Sequence, residues 1–272
     1  MRIIQQVSIR NFLLATTLPV LLFVGLMMLP VHALQAQTTP QVLFDEANEA
    51  YDQGKYREAI KTYHSILQNA ESGPVYLNLG LSYVQLDSLG KAKYYFMKAQ
   101  RYPITENRAQ EGISYVNSRF SRTSAVLPEL PWEQYFNWMR YSIGVGWLYT
   151  VGLIILNLGI ILVVFRWLSY RFQDVRGSAL FVWGTAALGA LILLHGVFVT
   201  YLDDRYHKAV MIHQEQSVHE KPNAESAVVS KAYEGYVFQV DFYQSETADN
   251  WYYVRMSNGL YGWIPKTDIL IL

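Results

Sequence analysis

The sequence contains no cysteine among its 272 residues, which excludes disulfide bonds, thiolate nucleophiles, iron–sulfur clusters and cysteine-ligated zinc. It also has little charge, since Asp, Glu, Lys and Arg make up 16% and the net charge is zero. A balanced chain has no electrostatic reason to bind nucleic acid. There is no G-x-S-x-G, no H-E-x-x-H and no phosphate-binding glycine loop. We therefore expect no catalytic residues, no cofactor and no enzyme activity.

Charge is lacking altogether in two stretches, residues 141–165 and 179–201. At about 1.5 Å per helical residue, each can cross a roughly 30 Å hydrocarbon core, so we predict two transmembrane helices. The loop between them, residues 166–178, carries three arginines against one aspartate. Short loops rich in Arg and Lys stay cytoplasmic, so both flanks of this hairpin are expected on the extracytoplasmic side.

The amino terminus has the pattern of an export signal. Arg2 and Arg10 precede an apolar run from Phe12 to Leu34, and Val31-His32-Ala33 offers small residues for signal peptidase. We predict a signal peptide within residues 1–36. Because the run is long for a signal core, an uncleaved anchor remains the alternative.

Residues 41–120 have helical periodicity and an internal repeat. One copy matches the tetratricopeptide (TPR) signature at Tyr76, Leu79, Gly80, Tyr83, Ala92, Phe96, Ala99 and Pro103. Thirty-three residues upstream, Ala47, Ala59 and Tyr63 take the places of Gly80, Ala92 and Phe96. The segment therefore resembles the TPR family, and we predict an all-α solenoid of two repeats with a capping helix at residues 106–120.

The TPR resemblance implies a concave groove that binds a peptide. Its candidate residues, from the positions used in peptide-binding members and their neighbours, are Asn48, Tyr51, Asn78, Leu77 and Leu81. The lysine clamp of chaperone-binding members is absent, because Phe44 stands at the matching place. A generic peptide groove and plain surface asparagines both remain open.

A proline-punctuated connector, residues 121–140, joins the helical segment to the first apolar stretch. Its aromatic residues are Trp132, Tyr135, Phe136 and Trp138. Trp and Tyr prefer the bilayer interface, so we interpret this run as an interfacial anchor. A flap packed on the capping helix is the alternative.

The apolar stretches contain few groups that could direct helix packing. By helical rise, His195 is level with Tyr149 and Thr150, and a hydrogen bond to one of them is expected. Small residues form a second feature, with pairs four residues apart at Thr185 and Gly189 and at Ala186 and Ala190. Such a face packs closely against the first helix or against another protein.

After Tyr201 the pattern changes to short strands separated by turns, one of them predicted from Val237 to Tyr243. This pattern is typical of a small barrel. Residues 209–272 resemble the bacterial SH3 (SH3b) family, chiefly in the segment NWYYVRMSNGLYGWIPKTDIL. Alternation along 251–256 leaves one face for a ligand, for which we name Trp251, Tyr253 and Trp263. His207, His213 and His219 fall on a linker, a strand and a turn, so no metal site is predicted.

The order of these segments resembles the BatE family of Bacteroides aerotolerance proteins. We therefore predict a multi-domain membrane protein: an all-α TPR solenoid, a two-helix transmembrane hairpin and an all-β SH3-like small barrel. The resemblance implies the inner membrane, with the TPR and SH3b domains in the periplasm. It also implies sister membrane proteins with von Willebrand A domains and a MoxR-type ATPase as partners in envelope stress. A scaffold that binds envelope proteins and a cell-wall sensor that binds peptidoglycan are the two functions to distinguish.

Overall fold

The computed structural model describes residues 38–122, 127–128, 131–139, 144–168 and 176–272. The predicted signal peptide, and Arg171 and Asp174 of the predicted cytoplasmic loop, lie outside the described residues. The chain divides between Glu71 and Ser72 into two compact units, which are described separately.

The first unit holds a helical hairpin, α1 (Thr38–Asp52) and α2 (Tyr56–Leu67). The turn between them needs a left-handed residue, and Gly54 takes a φ of +75° there. Its N–H donates to the Tyr51 carbonyl at 2.9 Å, which closes the end of α1. Ala47 and Ala59 are fully buried, so the absence of larger side chains lets the two helices approach closely.

The second unit begins with three helices, α3 (Gly73–Gln85), α4 (Leu89–Ala99) and α5 (Glu106–Arg119). Asp87 takes a φ of +52° in the turn between α3 and α4. The buried ring of Phe96 fills the space between these helices. A Cβ placed on Gly80 would lie 2.5 Å from this ring, and one on Gly112 would lie 2.8 Å from it. Both positions therefore need glycine.

A short helix, α6 (Pro131–Trp138), precedes the long helices α7 (Val145–Leu168) and α8 (Arg176–Arg205). Within the described chain, Val145–Leu168 and Ala179–Arg205 are long and apolar enough to cross a membrane. Gly152 lies against Leu193, and Gly159 lies against Ala186, so the two helices are antiparallel. The helices α7 and α8 continue past the two uncharged stretches, to Leu168 and Arg205.

The remaining residues form a separate, fully antiparallel sheet with the strand order β3-β2-β6-β5-β4-β1-β7. Its strands are β1 (Tyr206–Met211), β2 (Glu215–His219), β3 (Val228–Tyr233), β4 (Val237–Asp241), β5 (Trp251–Met256), β6 (Tyr261–Pro265) and β7 (Ile269–Ile271). The core cluster includes Met211, Val218, Phe238, Val254 and Ile264. Because β1 starts directly after Arg205, the sheet begins at one end of α8.

One predicted strand is shorter than expected. The sequence favoured a strand from Val237 to Tyr243, but β4 ends at Asp241 and a short helix, α9 (Phe242–Ser245), follows. The Asp241 carboxylate accepts a hydrogen bond from the Gln244 N–H at 3.1 Å. A side chain that caps a helix in this way ends the strand.

The helical part of the second unit packs on the sheet near the turn between β3 and β4. Glu234 accepts a hydrogen bond from the Gly90 N–H, with 2.6 Å between N and Oε1. Lys93 donates from Nζ to the Gly235 carbonyl at 2.7 Å. The ring of Phe120 lies so close to Gly235 that a Cβ there would be 2.2 Å from it. Residues far apart in sequence therefore join helices and sheet.

Burial at this contact lowers the pKa of Lys93 from 10.5 to about 8. Between pH 8 and pH 10.5 this lysine is largely neutral in the folded chain but still protonated in the unfolded chain. Above pH 10.5 it is largely neutral in both states. The free energy of unfolding therefore rises with pH between these values. From pH 7 to 9.5 we expect wild type to gain about 2 kcal/mol relative to Lys93→Met.

Urea titrations of the full chain in mild detergent measure this difference. Lys91→Met is the control for removing a lysine from α4, and it retains the rise because Lys93 is unchanged. If wild type and Lys93→Met showed parallel pH profiles, the buried position of Lys93 would be wrong.

Candidate functional site

The outer face of the sheet carries a cluster of aromatic side chains. Tyr253 on β5 stands opposite Trp263 on β6, with ring centroids 5.2 Å apart. Tyr261 stacks on the other side of Tyr253 at 6.1 Å and an interplanar angle of 18°. Tyr253 and Trp263 are half-buried, while Tyr261 is 51% exposed. These three rings, the aromatic cluster, form an apolar surface that is open at its edge.

Trp251, the third residue of the predicted ligand face, contacts a different neighbour. Its ring lies edge-on to His219 of β2, with centroids 5.6 Å apart. His219 is buried, and its Nδ1 lies 3.1 Å from the Ser226 carbonyl. Tyr261 was not among the sequence candidates. The signal for it was available, because Tyr261 and Trp263 are two residues apart and share a strand face.

A second group fixes this sheet face to the end of α8. Arg205 makes a bidentate ion pair with Asp241, with Nη2 and Oδ2 2.8 Å apart. Its guanidinium also lies over the rings of Tyr206 and Tyr243, at 5.0 and 5.4 Å from their centroids. Planar stacking and two-point pairing use both chemical features of arginine. Arg205 therefore links the end of α8 to β4, in which Asp241 stands opposite Tyr253 of the aromatic cluster.

In the first unit, both groove candidates make contacts within their own hairpin. The Asn48 Oδ1 accepts a hydrogen bond from the Tyr63 hydroxyl at 2.6 Å. Tyr51 packs edge-on to Tyr56, with ring centroids 5.3 Å apart. Both candidates are half-buried, so each also has a structural role.

In the second unit, the groove candidates on α3 differ in access. Leu77 is 6% exposed and leaves almost no surface for a ligand, whereas Leu81 is 39% exposed. Asn78 is half-buried, and its carbonyl accepts a hydrogen bond from the Ser82 hydroxyl at 2.7 Å. Of these three, Leu81 has the most accessible side chain.

A tyrosine cluster on α3 and α4 was not anticipated from the sequence. The rings of Tyr83 and Tyr95 stack in parallel with centroids 5.3 Å apart, and Tyr94 lies edge-on to Tyr95 at 4.9 Å. Lys98 Nζ lies 5.0 Å from the Tyr76 ring centroid. Burial raises the pKa of Tyr83 and of Tyr95, so both remain neutral phenols near neutral pH. Tyrosines at helical spacing predict only that the side chains share a helix face, and the stacking of their rings could be recognised only in the structure.

The expected hydrogen bond between His195 and Tyr149 or Thr150 is wrong. Tyr149 Oη lies 2.9 Å from Thr200 Oγ1, and the Thr150 hydroxyl donates to the Gly146 carbonyl. His195 Nε2 instead lies 3.1 Å from the Tyr135 hydroxyl of α6. Helical rise places residues at a depth but does not fix the direction in which each side chain points. His195 thus ties the connector helix to the apolar hairpin.

The four small residues predicted for helix packing on α8 do not all make the same kind of contact. A Cβ on Gly189 would lie 2.4 Å from the Leu156 backbone nitrogen, and a Cβ on Gly159 would lie 2.5 Å from the backbone of Ala186. These two residues therefore face α7. The Thr185 hydroxyl donates to the Phe181 carbonyl within its own helix, and Thr185 and Ala190 are half-buried.

The three histidines considered for metal binding do not form a cluster. His207 packs against Phe242, and His213 Nε2 lies 3.6 Å from Asp268 Oδ1. Among the residues that the structure describes, no three His, Asp or Glu side chains are arranged to hold a metal ion.

The described residues thus form two helices suited to a membrane, several shorter helices and a separate antiparallel sheet. No protein-family model matches the chain, and comparison with curated proteins gives no match.

Proposed function

We propose that this protein is a non-enzymatic inner-membrane scaffold of the BatE type, with TPR and SH3b modules on the periplasmic side. In this proposal α7 and α8 span the membrane, and the arginine loop between them is cytoplasmic. Envelope proteins bind the two modules, and the candidate partners are von Willebrand A-domain sister proteins linked to a MoxR-type ATPase. The observation that carries the proposal is the aromatic cluster, an open interaction surface joined through Arg205 to a helix long enough to span a bilayer.

The TPR assignment is supported by two turns with the same hydrogen-bond pattern. Gly54 N donates to Tyr51 O and Lys55 N donates to Ala50 O; thirty-three residues later, Asp87 N donates to Val84 O and Ser88 N to Tyr83 O. All four distances lie between 2.9 and 3.0 Å. Equal spacing of equal turns is expected of a structural repeat.

The SH3b assignment is supported by short antiparallel strands around one apolar core. The Asn258-Gly259 turn joins β5 to β6, and Gly259 has a φ of +85°. Val254 and Met256 enter the core while Tyr253 and Arg255 point to the other face, as alternation predicts.

Peptidoglycan is the second candidate ligand, and the stacked rings of Tyr253 and Tyr261 favour it. The apolar faces of sugar rings pack well on open aromatic faces, and hydroxyl groups at the ring edges can meet phenol oxygens. In this case the protein senses or anchors the cell wall through the sheet.

A photo-crosslinking amino acid at Tyr261 tests the scaffold in cells. We expect an adduct with a von Willebrand A-domain membrane protein, identified by mass spectrometry, and its yield should fall at least fivefold in Trp263→Ala. The same amino acid at Val228, which is 53% exposed on β3, is the matched control and should give no such adduct. Adducts that co-sediment with purified sacculi would favour the cell-wall sensor, and equal adducts from both positions would contradict both functions.

A further inference from the structure

A cavity of about 1270 Å³ opens between the helical part of the second unit and the outer face of the sheet. Its lining includes three apolar side chains from neighbouring helices, Phe136 of α6 with Phe198 and Leu202 of α8, which we call the floor of the cavity. The rings of Phe136 and Phe198 meet edge to face at 5.7 Å. The floor is therefore apolar and belongs to the end of the candidate membrane span that carries the sheet.

The rest of the lining contains several basic side chains. Among the described residues the lining includes two acidic side chains, Asp203 and Asp241, and six basic ones: Lys93, Arg101, Arg122, Arg205, Lys208 and Arg255. Arg205 pairs with Asp241, and the described lining as a whole carries more basic than acidic side chains. A cavity with such a charge excess concentrates anions.

The cations come from separate parts of the fold that converge here. Lys93 lies on α4 and Arg101 just beyond it, Arg122 follows α5, and Lys208 and Arg255 lie on β1 and β5. Gln239 of β4 pairs with Lys208 of β1 on one side and with Arg255 of β5 on the other. Because directly paired residues of neighbouring strands share a sheet face, Lys208 and Arg255 lie on the same face. Arg101 and Lys208 are exposed.

The environment of Lys93 gives an energetic reason for an anion to bind in this cavity. Its ammonium uses one N–H donor on the Gly235 carbonyl and lies 5.6 Å from the Phe120 ring centroid. Burial lowers its pKa to about 8, because a buried ammonium group is poorly solvated. An anion in the cavity would offset this desolvation.

We propose that this cavity binds the phosphate headgroup of an anionic phospholipid from the outer leaflet, while the acyl chains stay in the bilayer beside α8. The inference rests on the proposed membrane-spanning function. Arginine and lysine bind phosphate oxygens through charge-assisted hydrogen bonds, and the apolar floor receives the glycerol backbone and first methylene groups. A soluble phosphate would leave that floor exposed to water, which favours the lipid.

Native mass spectrometry of the full chain in uncharged detergent tests the proposal. We expect dioctanoyl phosphatidylglycerol to bind at least tenfold more tightly than dioctanoyl phosphatidylcholine. The double variant Arg101→Gln/Lys208→Gln should lose most of this preference. Arg57→Gln/Lys61→Gln removes the same charges from exposed positions of α2 that do not line the cavity, and should bind as wild type.

Three outcomes would overturn the proposal: equal binding of the two lipids, equal behaviour of the two double variants, or binding of glycerol 3-phosphate as tight as that of the lipid. The last would assign the cavity to a soluble phosphate. Flotation with phosphatidylcholine vesicles tests the membrane-spanning function separately. A chain that floats without preferring the anionic lipid would contradict the cavity assignment alone, whereas a chain that does not float would contradict the proposed function.

Discussion

Replacing Gly189 by leucine is expected to force the two apolar helices apart and to destabilise the hairpin by about 3 kcal/mol. A Cβ at this position would lie 2.4 Å from the Leu156 backbone nitrogen and 2.6 Å from its Cα. Backbone atoms cannot rotate away as a side-chain end can, so the helices themselves must move. Gly159 is in the reciprocal position, since its Cβ would lie 2.5 Å from the backbone of Ala186.

Gly184→Leu is the matched control, because nothing lies within 4 Å of a Cβ at Gly184 on the same helix. Thermal unfolding in detergent, followed by circular dichroism, should show a midpoint several degrees lower for Gly189→Leu and little changed for Gly184→Leu. Equal midpoints for the two variants would show that α7 and α8 do not pack through this glycine.

Much of this hairpin could be predicted from the sequence. A long uncharged stretch that enters a bilayer must satisfy its backbone hydrogen bonds internally, which predicts helices, and small residues on α8 indicated close packing. The sequence could not show what these small residues pack against, however, because Ala186 and Gly189 have the same spacing whether they face α7 or another protein. Only the antiparallel register, with Gly159 opposite Ala186, assigns them to α7.

The sheet shows a different limit to what could be predicted from the sequence. Strand β5 was predictable because its alternation separates Val254 and Met256 from Tyr253. Strand β2 was not, since EQSVH is polar and only Val218 and His219 are buried. It pairs with β3, the next strand along the chain, and with β6, in which Trp263 stands opposite His219, and local sequence does not encode the pairing with β6. The aromatic cluster was partly predictable for the same reason that β5 was.

The contact between helices and sheet was not predicted at all. It depends on a hydrogen bond from the Gly90 N–H to Glu234, 144 residues away, and on the close approach of Phe120 to Gly235. No periodicity links such positions. The sequence therefore could not show which helix the sheet would meet.

Gly90→Val is expected to separate the helical part of the second unit from the sheet. A Cβ on Gly90 would lie 2.5 Å from the Met211 carbonyl oxygen, 2.8 Å from Glu234 Cγ and 3.0 Å from Ile212 Cα. Two of these three atoms belong to the backbone, so the strand end must move and the hydrogen bond to Glu234 is lost. Overpacking of this kind costs about 1–3 kcal/mol, and undocking relieves it.

The absence of native cysteine makes a direct measurement possible, because cysteines introduced for Glu111 on α5 and Glu225 in the loop before β3 carry the only two spin labels. Both positions are exposed. Pulsed electron paramagnetic resonance should give a narrow distance distribution in the otherwise wild-type chain and a broad one in Gly90→Val. Lys91→Val places the same residue one position further along α4, where it removes a cation–π contact with Tyr83, and should keep the narrow distribution. If Gly90→Val kept it as well, the docking of α4 on the sheet would be wrong, and the cavity between them would lose its basis.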